Sequence, residues 1–493
     1  MTIKSNRREW LNSFAAASVT AGTVGSLVPA MAGNHLQGAN DAVRVAIIGI
    51  RSKGRQHIDV FRAVPGVRVA AICDADEDIL QREAKRFAGW NEKVATYLDV
   101  RRLLESKEID AVVIAAPNHW HSLMAIWACQ AGKDVYVEKP ISHNIWEGRK
   151  VVQAAQKYKR IVQAGTQSRS DKGLQEAFAY IKAGNLGKII VARGFCYKKR
   201  DSIGKVPGPQ PIPKSVQYDL WTGPAPIGPL MRKELHYDWH WVWATGNGDI
   251  GNQGIHEMDM CRWALGQEGL PPRVMSIGGR YGYDDDGTTP NTQISILDYS
   301  PAPLIFEVRG LPQKKGLAAM DQYRGVRVGI VIQCEQGYYA GGGGGGWVYD
   351  NDKKRIKQFL GEGGADHAAN FIQAVRSHSS SDLRAPVEGG HISSALCHLS
   401  NISYRLGQRT SPSLIQEAIR SQAEYKETFQ RFEEHLSLNE VDINSTIPVL
   451  GPWLEVDGQK ERFLQKGEYD ISRWANELVK DNYRAPYVVP ENV

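Results

Sequence analysis

A strict alternation of apolar runs and amphipathic stretches over residues 43 to 165 constrains the fold most. The runs are rich in Val, Ile and Ala, have the length of strands, and cover residues 43–49, 67–73, 111–116, 134–137 and 161–164. The stretches between them place apolar side chains at helical spacing over residues 56–64, 78–87, 97–105, 122–131 and 145–158. Wholly apolar strands that take turns with helices are typical of a parallel sheet covered on both faces. We therefore predict an α/β fold with a doubly wound parallel sheet.

The pattern changes after residue 165. Segments 187–197, 273–281, 292–299, 304–309 and 326–334 are strand-like, and several alternate apolar with polar residues. Such alternation predicts an antiparallel sheet with one packed and one exposed face. Helical patterns return at 366–377, 388–407 and 414–437. We predict a second domain over residues 166–440 and a C-terminal extension, 441–493, packed on the body.

Two segments of the second half read as irregular. Residues 198–230 carry seven prolines, which disfavour regular structure, and long loops inside compact domains are often functional. The six consecutive glycines of 341–346 predict a flexible surface loop.

The N-terminus has the features of an export signal. Arg7 and Arg8 precede a mildly apolar stretch that ends in the small-residue motif Ala30-Met31-Ala32. This resembles a twin-arginine signal, so we predict a signal peptide over residues 1–32 and a periplasmic location for the folded protein, with association with the cell envelope as a variant of that location. The alternative is a disordered tail. No other stretch resembles a membrane span.

Composition excludes some classes of partner. The formal net charge is +6, and no dense Lys/Arg run with interleaved aromatics is present, so nucleic acid is not an expected partner. The six cysteines form no CxxC pair and lie in apolar patterns, which predicts buried thiols.

A glycine loop follows the first strand. It reads Gly49-Ile50-Arg51-Ser52-Lys53-Gly54, a GxGxxG pattern with Arg51 in place of the middle glycine. Such a loop opens a helix whose N-terminus binds a dinucleotide pyrophosphate. Asp74 ends the second strand, where a carboxylate accepts hydrogen bonds from ribose hydroxyls and repels a 2′-phosphate, which favours NAD over NADP. The alternative role for Asp74 is a helix N-cap.

Two further motifs lie where parallel strands end. Pro117-Asn118-His119-Trp120-His121 follows the strand at 111–116, and Glu138-Lys139-Pro140 follows the strand at 134–137. Open α/β sheets bind ligands at the carboxyl ends of their strands. A lysine between an acid and a proline at this edge is therefore a candidate for chemistry.

Together these motifs resemble the Gfo/Idh/MocA oxidoreductases, the family of glucose–fructose oxidoreductase and inositol dehydrogenase. The resemblance rests on the glycine loop, Asp74, Pro117-Asn118-His119, Glu138-Lys139-Pro140 and Gly254-Ile255-His256-Glu257-Met258-Asp259. It implies a Rossmann domain over residues 33–165 and a second α/β domain with a large open, mostly antiparallel sheet that often forms the oligomer contact. It also implies that Lys139 and His256 lie near the reacting carbon.

One residue departs from the family pattern. The family's usual aspartate four residues before the histidine is Asn252 here, and an amide cannot take up a proton as a carboxylate does. If that aspartate is part of the proton relay, the alternatives in this chain are Asp249, Glu257 and Asp259.

An aromatic segment precedes the histidine motif. Residues 235–243 hold three tryptophans and two histidines, and aromatic faces pack on sugar rings. The alternative is a buried aromatic cluster. His236 and His240 have i,i+4 spacing, but no third ligand accompanies them, so no metal site is predicted.

The predicted site has three parts. Catalysis is assigned to Lys139, as base, and His256, as its hydrogen-bonded proton partner. Cofactor binding is assigned to Gly49, Ile50, Arg51, Gly54, Asp74, Pro117, Asn118, His121, Glu138, Lys139 and Gln167. Substrate contact is assigned to Arg169, Trp239, His240, Asn252 and Asp259.

These residues predict an oxidoreductase that moves a hydride between a tightly held NAD and a hydroxyl or keto carbon of a sugar, cyclitol or glycoside. A homo-oligomer is expected because open sheets usually find a partner. Two alternatives are an NAD-dependent, redox-neutral glycoside hydrolase or lyase, and a non-catalytic sugar-binding relative.

Overall fold

The computed structural model describes residues 42–465 and 470–493. The predicted export signal at 1–32 lies outside the described residues.

The first region forms one parallel sheet with helices on both faces. Its six strands pair in the order β3-β2-β1-β4-β5-β6. The elements are β1 (Val43–Ile48), α1 (Lys53–Arg62), β2 (Val67–Cys73), α2 (Glu77–Gly89), β3 (Ala95–Tyr97), α3 (Val100–Leu104), β4 (Ala111–Ile114), α4 (Asn118–Gln130), β5 (Asp134–Val137), α5 (Ile145–Lys157) and β6 (Val162–Ala164).

Burial explains why these strands are largely apolar. Ala46 and Ile48 of β1 enter one hydrophobic cluster, while Val45 and Ile47 enter the cluster on the opposite face. The doubly wound prediction is confirmed. The edge strand β3 was not predicted, because its three residues are short and mostly exposed and carry no apolar run.

The second region contains a twelve-stranded sheet. The order along it is β14-β13-β12-β11-β7-β10-β9-β8-β16-β15, with β17 and β18 attached at one side; β7 and β10 pair in parallel and the other pairs are antiparallel. The elements are α6 (Lys172–Lys182), β7 (Ile189–Tyr197), α7 (Tyr218–Thr222), α8 (Ile255–Ala264), β8 (Arg273–Gly279), β9 (Thr292–Leu297), β10 (Leu304–Arg309), β11 (Val328–Cys334), β12 (Gly337–Gly342), β13 (Gly345–Asp350), β14 (Arg355–Leu360), α9 (His367–Ser377), α10 (Val387–Arg405), β15 (Gln408–Arg409), α11 (Pro412–Ala418), α12 (Ala423–Leu438), β16 (Val449–Leu450), β17 (Leu454–Asp457), β18 (Arg462–Phe463) and α13 (Ser472–Glu477). This confirms the predicted large, mostly antiparallel second sheet.

The glycine run is not a flexible loop, so that prediction was wrong. Gly341 and Gly346 are paired residues of the β12–β13 hairpin. A Cβ on Gly346 would lie 2.4 Å from the carbonyl oxygen of Ala340, so only glycine lets the strands approach this closely. The proline-rich segment 198–230 also contains regular structure: the short helix α7 occupies a stretch without proline.

One face of the second sheet is partly covered by the chain itself. Phe429 and Phe432 of α12 are buried against Ile277 and Ile294 of the sheet. The helical pattern predicted at 414–437 is two helices, α11 and α12.

The end of the chain lies against both regions. Strands β16 and β17 pair with β8, while Tyr487 packs edge-on against Trp120 of α4. All six cysteines are buried free thiols, as predicted. Within the described residues, no helix has the length and apolarity that crossing a membrane requires.

Candidate active site

A cleft of about 470 Å³ lies at the carboxyl ends of the parallel strands. This volume is in the range of cofactor and small-molecule sites. The predicted residues that line it are Gly49, Arg51, Asp74, Pro117, Asn118, His121, Glu138, Lys139, Gln167, Trp239, His240, Asn252 and His256.

The glycine loop closes tightly over the sheet edge. Gly49 has φ +77°, and a Cβ there would lie 2.5 Å from the backbone nitrogen of Ala116. A Cβ on Gly54 would lie 1.9 Å from the carbonyl oxygen of Gly49. Gly54 and Ile50, whose side chain is buried in the core, therefore shape the loop without lining the cleft.

The first turn of α1 is open to an anion. Ser52 precedes the helix without a side-chain capping bond, and the first turn holds no acidic residue. Arg51, at the position of the missing glycine, is exposed and lines the cleft. Free N–H groups at a helix N-terminus with nearby cations suit a phosphate.

Asp74 is held by backbone hydrogen bonds. Its carboxylate accepts from Ile50 N–H at 2.9 Å and from Asp76 N–H at 3.1 Å. Burial raises its pKa to about 6, while those hydrogen bonds oppose the shift. The N-cap of α2 is Asp76, which accepts from Asp78 N–H, so the alternative role for Asp74 is excluded.

Glu138 anchors the floor of the cleft. It is buried, bonds to Nε2 of His57 at 2.8 Å, and lies 3.8 Å from Nζ of Lys53. Burial alone would raise its pKa, but the charge of Lys53 and the His57 hydrogen bond hold the pKa of Glu138 well below its usual range. The sequence showed His57 and Lys53 only as helix and loop positions.

Lys139 reaches across the cleft to the second region. Its Nζ donates to the backbone carbonyl of Asn252 at 2.6 Å. That carbonyl belongs to a π-helical turn, Ile250–Gly254, where the usual helical hydrogen-bond pattern is interrupted. Burial lowers the pKa of the Lys139 ammonium, partly opposed by Glu138. The structure thus provides a lysine that releases its proton more readily than a surface lysine.

His256 faces the same cleft as a neutral ring. Burial, and then the charge of Lys139, lowers its pKa to about 3. Its Nδ1 is buried and has no hydrogen-bond partner. The predicted hydrogen bond between His256 and Lys139 is not present in the described structure, where the Lys139 ammonium donates to the Asn252 carbonyl. His256 therefore lines the cleft as a neutral ring that is not bonded to the lysine.

The three acids considered as replacements for the missing aspartate differ. Asp249 is bound by Arg200 at 2.6 and 2.7 Å, and its Oδ1 accepts from the amide of Asn252 at 3.3 Å. Glu257 has one oxygen bonded to Gln253 and the other unpaired, and burial raises its pKa to about 8.

Asp259 pairs with Arg169 at 2.7 and 2.8 Å and accepts from Ser393 at 2.6 Å. Arg169 and Asp259 are the predicted substrate residues that the structure does not bring to the cleft wall: they neutralise each other instead.

The aromatic segment combines both roles considered for it. Trp239 is buried with Leu235 and Trp221, yet also lines the cleft. His240 stacks on Trp239 at 3.6 Å between ring centroids, and burial lowers its pKa to about 3. His236 bonds to Asp76 at 2.8 Å, and the described residues include no metal-binding cluster.

Asn118 and His121 form hydrogen bonds with residues around the cleft. Asn118 donates to Asn247 at 3.0 Å. Both ring nitrogens of His121 lie within hydrogen-bonding distance of backbone carbonyls, those of Pro140 and Ala116.

The sequence did not single out Lys198 and Gln253, which also line the cleft. Lys198 directly follows β7, and that position after a strand was the available signal.

Comparison with protein families matches two consecutive segments of the chain. Residues 43–166 match the model of an oxidoreductase family, GFO_IDH_MocA, described as its NAD-binding Rossmann fold. Residues 183–298 match the C-terminal alpha/beta domain of the same family.

Curated relatives resemble parts of this chain. A glycosyl hydrolase family 109 protein of Shewanella baltica is 36% identical over 122 residues, 24% of this chain and 27% of the relative. An inositol 2-dehydrogenase of Salmonella typhimurium is 29% identical over 180 residues, 36% of this chain and 52% of the relative. The chain thus spans between about a quarter and a half of the curated relatives it matches.

A solved structure shares the fold. The WlbA dehydrogenase from Bordetella pertussis, in complex with NADH and UDP-GlcNAcA, superposes with a TM-score of 0.56 at 18% identity. The match covers 74% of this chain and 97% of that protein.

Proposed function

Residues 43–166 and 183–298 match the two domains of the Gfo/Idh/MocA oxidoreductase family. From that similarity we propose that the protein moves a hydride between NAD and a hydroxyl or keto carbon of a sugar, cyclitol or glycoside. The observation that carries the proposal is Lys139. Its desolvated ammonium is fixed at 2.6 Å from the Asn252 carbonyl, in the same cleft as the glycine loop and His256.

The cleft fits a nicotinamide dinucleotide. The uncapped first turn of α1 and Arg51 suit the pyrophosphate, and the Asp74 carboxylate suits the ribose hydroxyls. When bound, the nicotinamide supplies the hydride acceptor or donor. Inositol and nucleotide-sugar dehydrogenases among the similar proteins support a sugar-like substrate.

The protein's own groups manage the proton. In the oxidation direction, unprotonated Lys139 takes the proton of the substrate hydroxyl, and the Asn252 carbonyl then accepts a hydrogen bond from the resulting ammonium. In the reduction direction the ammonium returns that proton. Neutral His256 lines the same cleft and orients the hydroxyl, and Trp239 and His240 offer flat faces to the ring.

The pH dependence of turnover follows from this assignment. We expect kcat for oxidation to rise with pH through the pKa of Lys139, which burial places below that of an ordinary lysine. In the reduction direction kcat falls over the same range. Because the pKa of His256 is about 3, His256→Gln should lower kcat while leaving the position of that limb unchanged. Steady-state profiles of kcat against pH for the wild type and His256→Gln test this. If the pH-dependent rise in kcat disappears in His256→Gln, the histidine and not the lysine takes the proton of the substrate hydroxyl.

Cofactor choice is assigned to Asp74. Replacing Asp74 with alanine should weaken NAD binding by about 10- to 100-fold, the value of hydrogen bonds to a charged group, and reduce discrimination against NADP. NAD affinity should also fall as pH drops through about 6, where the carboxylate takes up a proton. Calorimetry with both cofactors measures these effects. Asp78→Ala, an exposed aspartate four residues away, is the matched control; equal NAD affinity in Asp74→Ala and Asp78→Ala would remove the assignment.

We also propose that the protein works in the periplasm with its NAD tightly held, loaded before folded export. Bound NAD can then recycle between substrate and product without a free nicotinamide pool.

A homo-oligomer is proposed through the uncovered end of the second sheet, where Ile356 and Leu360 of the edge strand β14 are exposed. Light scattering of the purified protein tests the oligomer.

The second candidate function is redox-neutral cleavage of a glycoside. Oxidation of a ring hydroxyl acidifies the neighbouring C–H, which permits elimination of the glycosidic group before the hydride returns. The 36% identity over 122 residues to a glycosyl hydrolase family 109 protein favours this cleavage reaction. Product analysis separates the two: a keto-sugar supports simple oxidation, and a released aglycone with unchanged NAD supports cleavage.

The third candidate, a sugar-binding protein without catalysis, is favoured by Asn252 alone. Sugar binding by the NAD-loaded protein without any turnover would support it.

A further inference from the structure

The charges that line the cleft are distributed unevenly. Three acids line it, Asp74, Asp99 and Glu138, and all three belong to the parallel-sheet region. The opposite wall, from the second region, contributes no acid to the lining and one ammonium group, that of Lys198. The wall of the cleft that the second region contributes is therefore positively charged.

Lys198 differs from the two basic residues that follow it. Lys199 lies 3.7 Å from Asp201, and Arg200 is bound by Asp249. Lys198 forms no ion pair among residues 42–465 and 470–493; its Nζ has the side-chain oxygen of Gln253 as partner at 3.4 Å. Of these three cations, Lys198 is the one that lines the cleft and the one whose charge is not neutralised.

No neighbouring acid offsets this charge near neutral pH. Glu257 is the nearby carboxyl, and burial raises its pKa to about 8, so it is mostly protonated there. Asp249 is committed to Arg200. The cations on the other wall, Arg51 and Lys53, lie at the helix N-terminus that suits the pyrophosphate, which leaves Lys198 without an assigned anion.

We propose that Lys198 binds a carboxylate on the substrate, so that this enzyme acts on acidic sugars, such as hexuronic acids, in preference to neutral ones. The inference rests on the proposed function and names its substrate class. A single ammonium matches a singly charged carboxylate, whereas a phosphate is usually held by several donors. Lys198 and Lys139 lie in one cleft, so a carboxylate on Lys198 would hold a hydroxyl of the same ring towards the base.

The test uses the purified protein with NAD and matched substrate pairs. The pairs are glucuronate and glucose, galacturonate and galactose, and mannuronate and mannose, each compared by kcat/KM. The variants are Lys198→Met, Lys198→Arg and, as matched control, Lys199→Met. Glucose phosphate is the additional anionic probe.

We expect the wild type to prefer the acidic member of at least one pair. Lys198→Met should lower kcat/KM for that acid by about 10- to 100-fold, the loss of one charge-assisted hydrogen bond, and leave the neutral sugar largely unaffected. Lys198→Arg should retain most of the preference, Lys199→Met all of it, and added salt should weaken it in the wild type.

Equal rates on acid and neutral sugar, or equal losses on both in Lys198→Met, would overturn the inference while the oxidoreductase function stands. A stronger effect on glucose phosphate than on any uronate would overturn the carboxylate assignment. No turnover of any probe together with no NAD binding would overturn both the inference and the proposed function.

Discussion

Replacing Lys139 with alanine should lower kcat by about 10²- to 10⁴-fold, the range expected for loss of a positioned base, and should weaken NAD binding much less, because the glycine loop and Asp74 remain. The reason is that no other described group near the reacting position combines a lowered pKa, cleft exposure and a proton to exchange. His256 has a pKa of about 3, and Asp249 and Asp259 are bound by arginines. Single-turnover measurements with NAD and an accepted sugar quantify the loss.

Lys85→Ala provides the control for this experiment. Lys85 is an exposed lysine on α2, away from the cleft lining, so its removal should change neither kcat nor NAD affinity. Lys139→Arg should also be strongly impaired, because guanidinium does not release its proton in proteins. Full turnover by Lys139→Ala would show that the proton leaves by another group.

Replacing Gly49 with alanine should abolish detectable NAD binding and lower the free energy of unfolding by about 2–5 kcal/mol. Two effects act together. The backbone at Gly49 has φ +77°, a conformation that L side chains rarely adopt, and the new Cβ would lie 2.5 Å from the backbone nitrogen of Ala116. Because backbone at the end of β4 cannot rotate away as a side chain does, the loop must move off the sheet edge.

Calorimetric titration with NAD and thermal unfolding measure both effects. Gly89→Ala, at the end of α2, is the matched control, since a Cβ there meets no atom within 4 Å. Its NAD affinity should equal that of the wild type. Wild-type NAD affinity in Gly49→Ala would remove the glycine loop from the proposed cofactor site.

The parallel sheet was predictable because strands that are buried on both faces have consecutive apolar residues. Val45 and Ile47 face one cluster and Ala46 and Ile48 the other, so four consecutive residues of β1 are apolar. The β12–β13 hairpin was not, because its glycines are needed for close strand approach and carry no alternation. A run of glycines is compatible with a flexible loop and with a closely packed hairpin. The residues on the paired strand, which the local sequence does not reveal, determine which of the two forms.

The site divides along a similar line. Asp74 and Lys139 could be placed from the sequence because the end of a parallel strand fixes which edge a residue reaches. Arg169 and Asp259 could not, because their mutual ion pair depends on how α8 packs against the segment after β6. Lys198 was missed although it directly follows β7, because the placement of the second sheet decides whether the end of that strand reaches the cleft.

The central claim is that the cleft holds a nicotinamide dinucleotide beside Lys139. The most direct measurement is to purify the protein, denature it and identify the released nucleotide by mass spectrometry. We predict NAD in amounts stoichiometric with the protein. No released nucleotide, together with no binding of added NAD or NADP, would contradict the account.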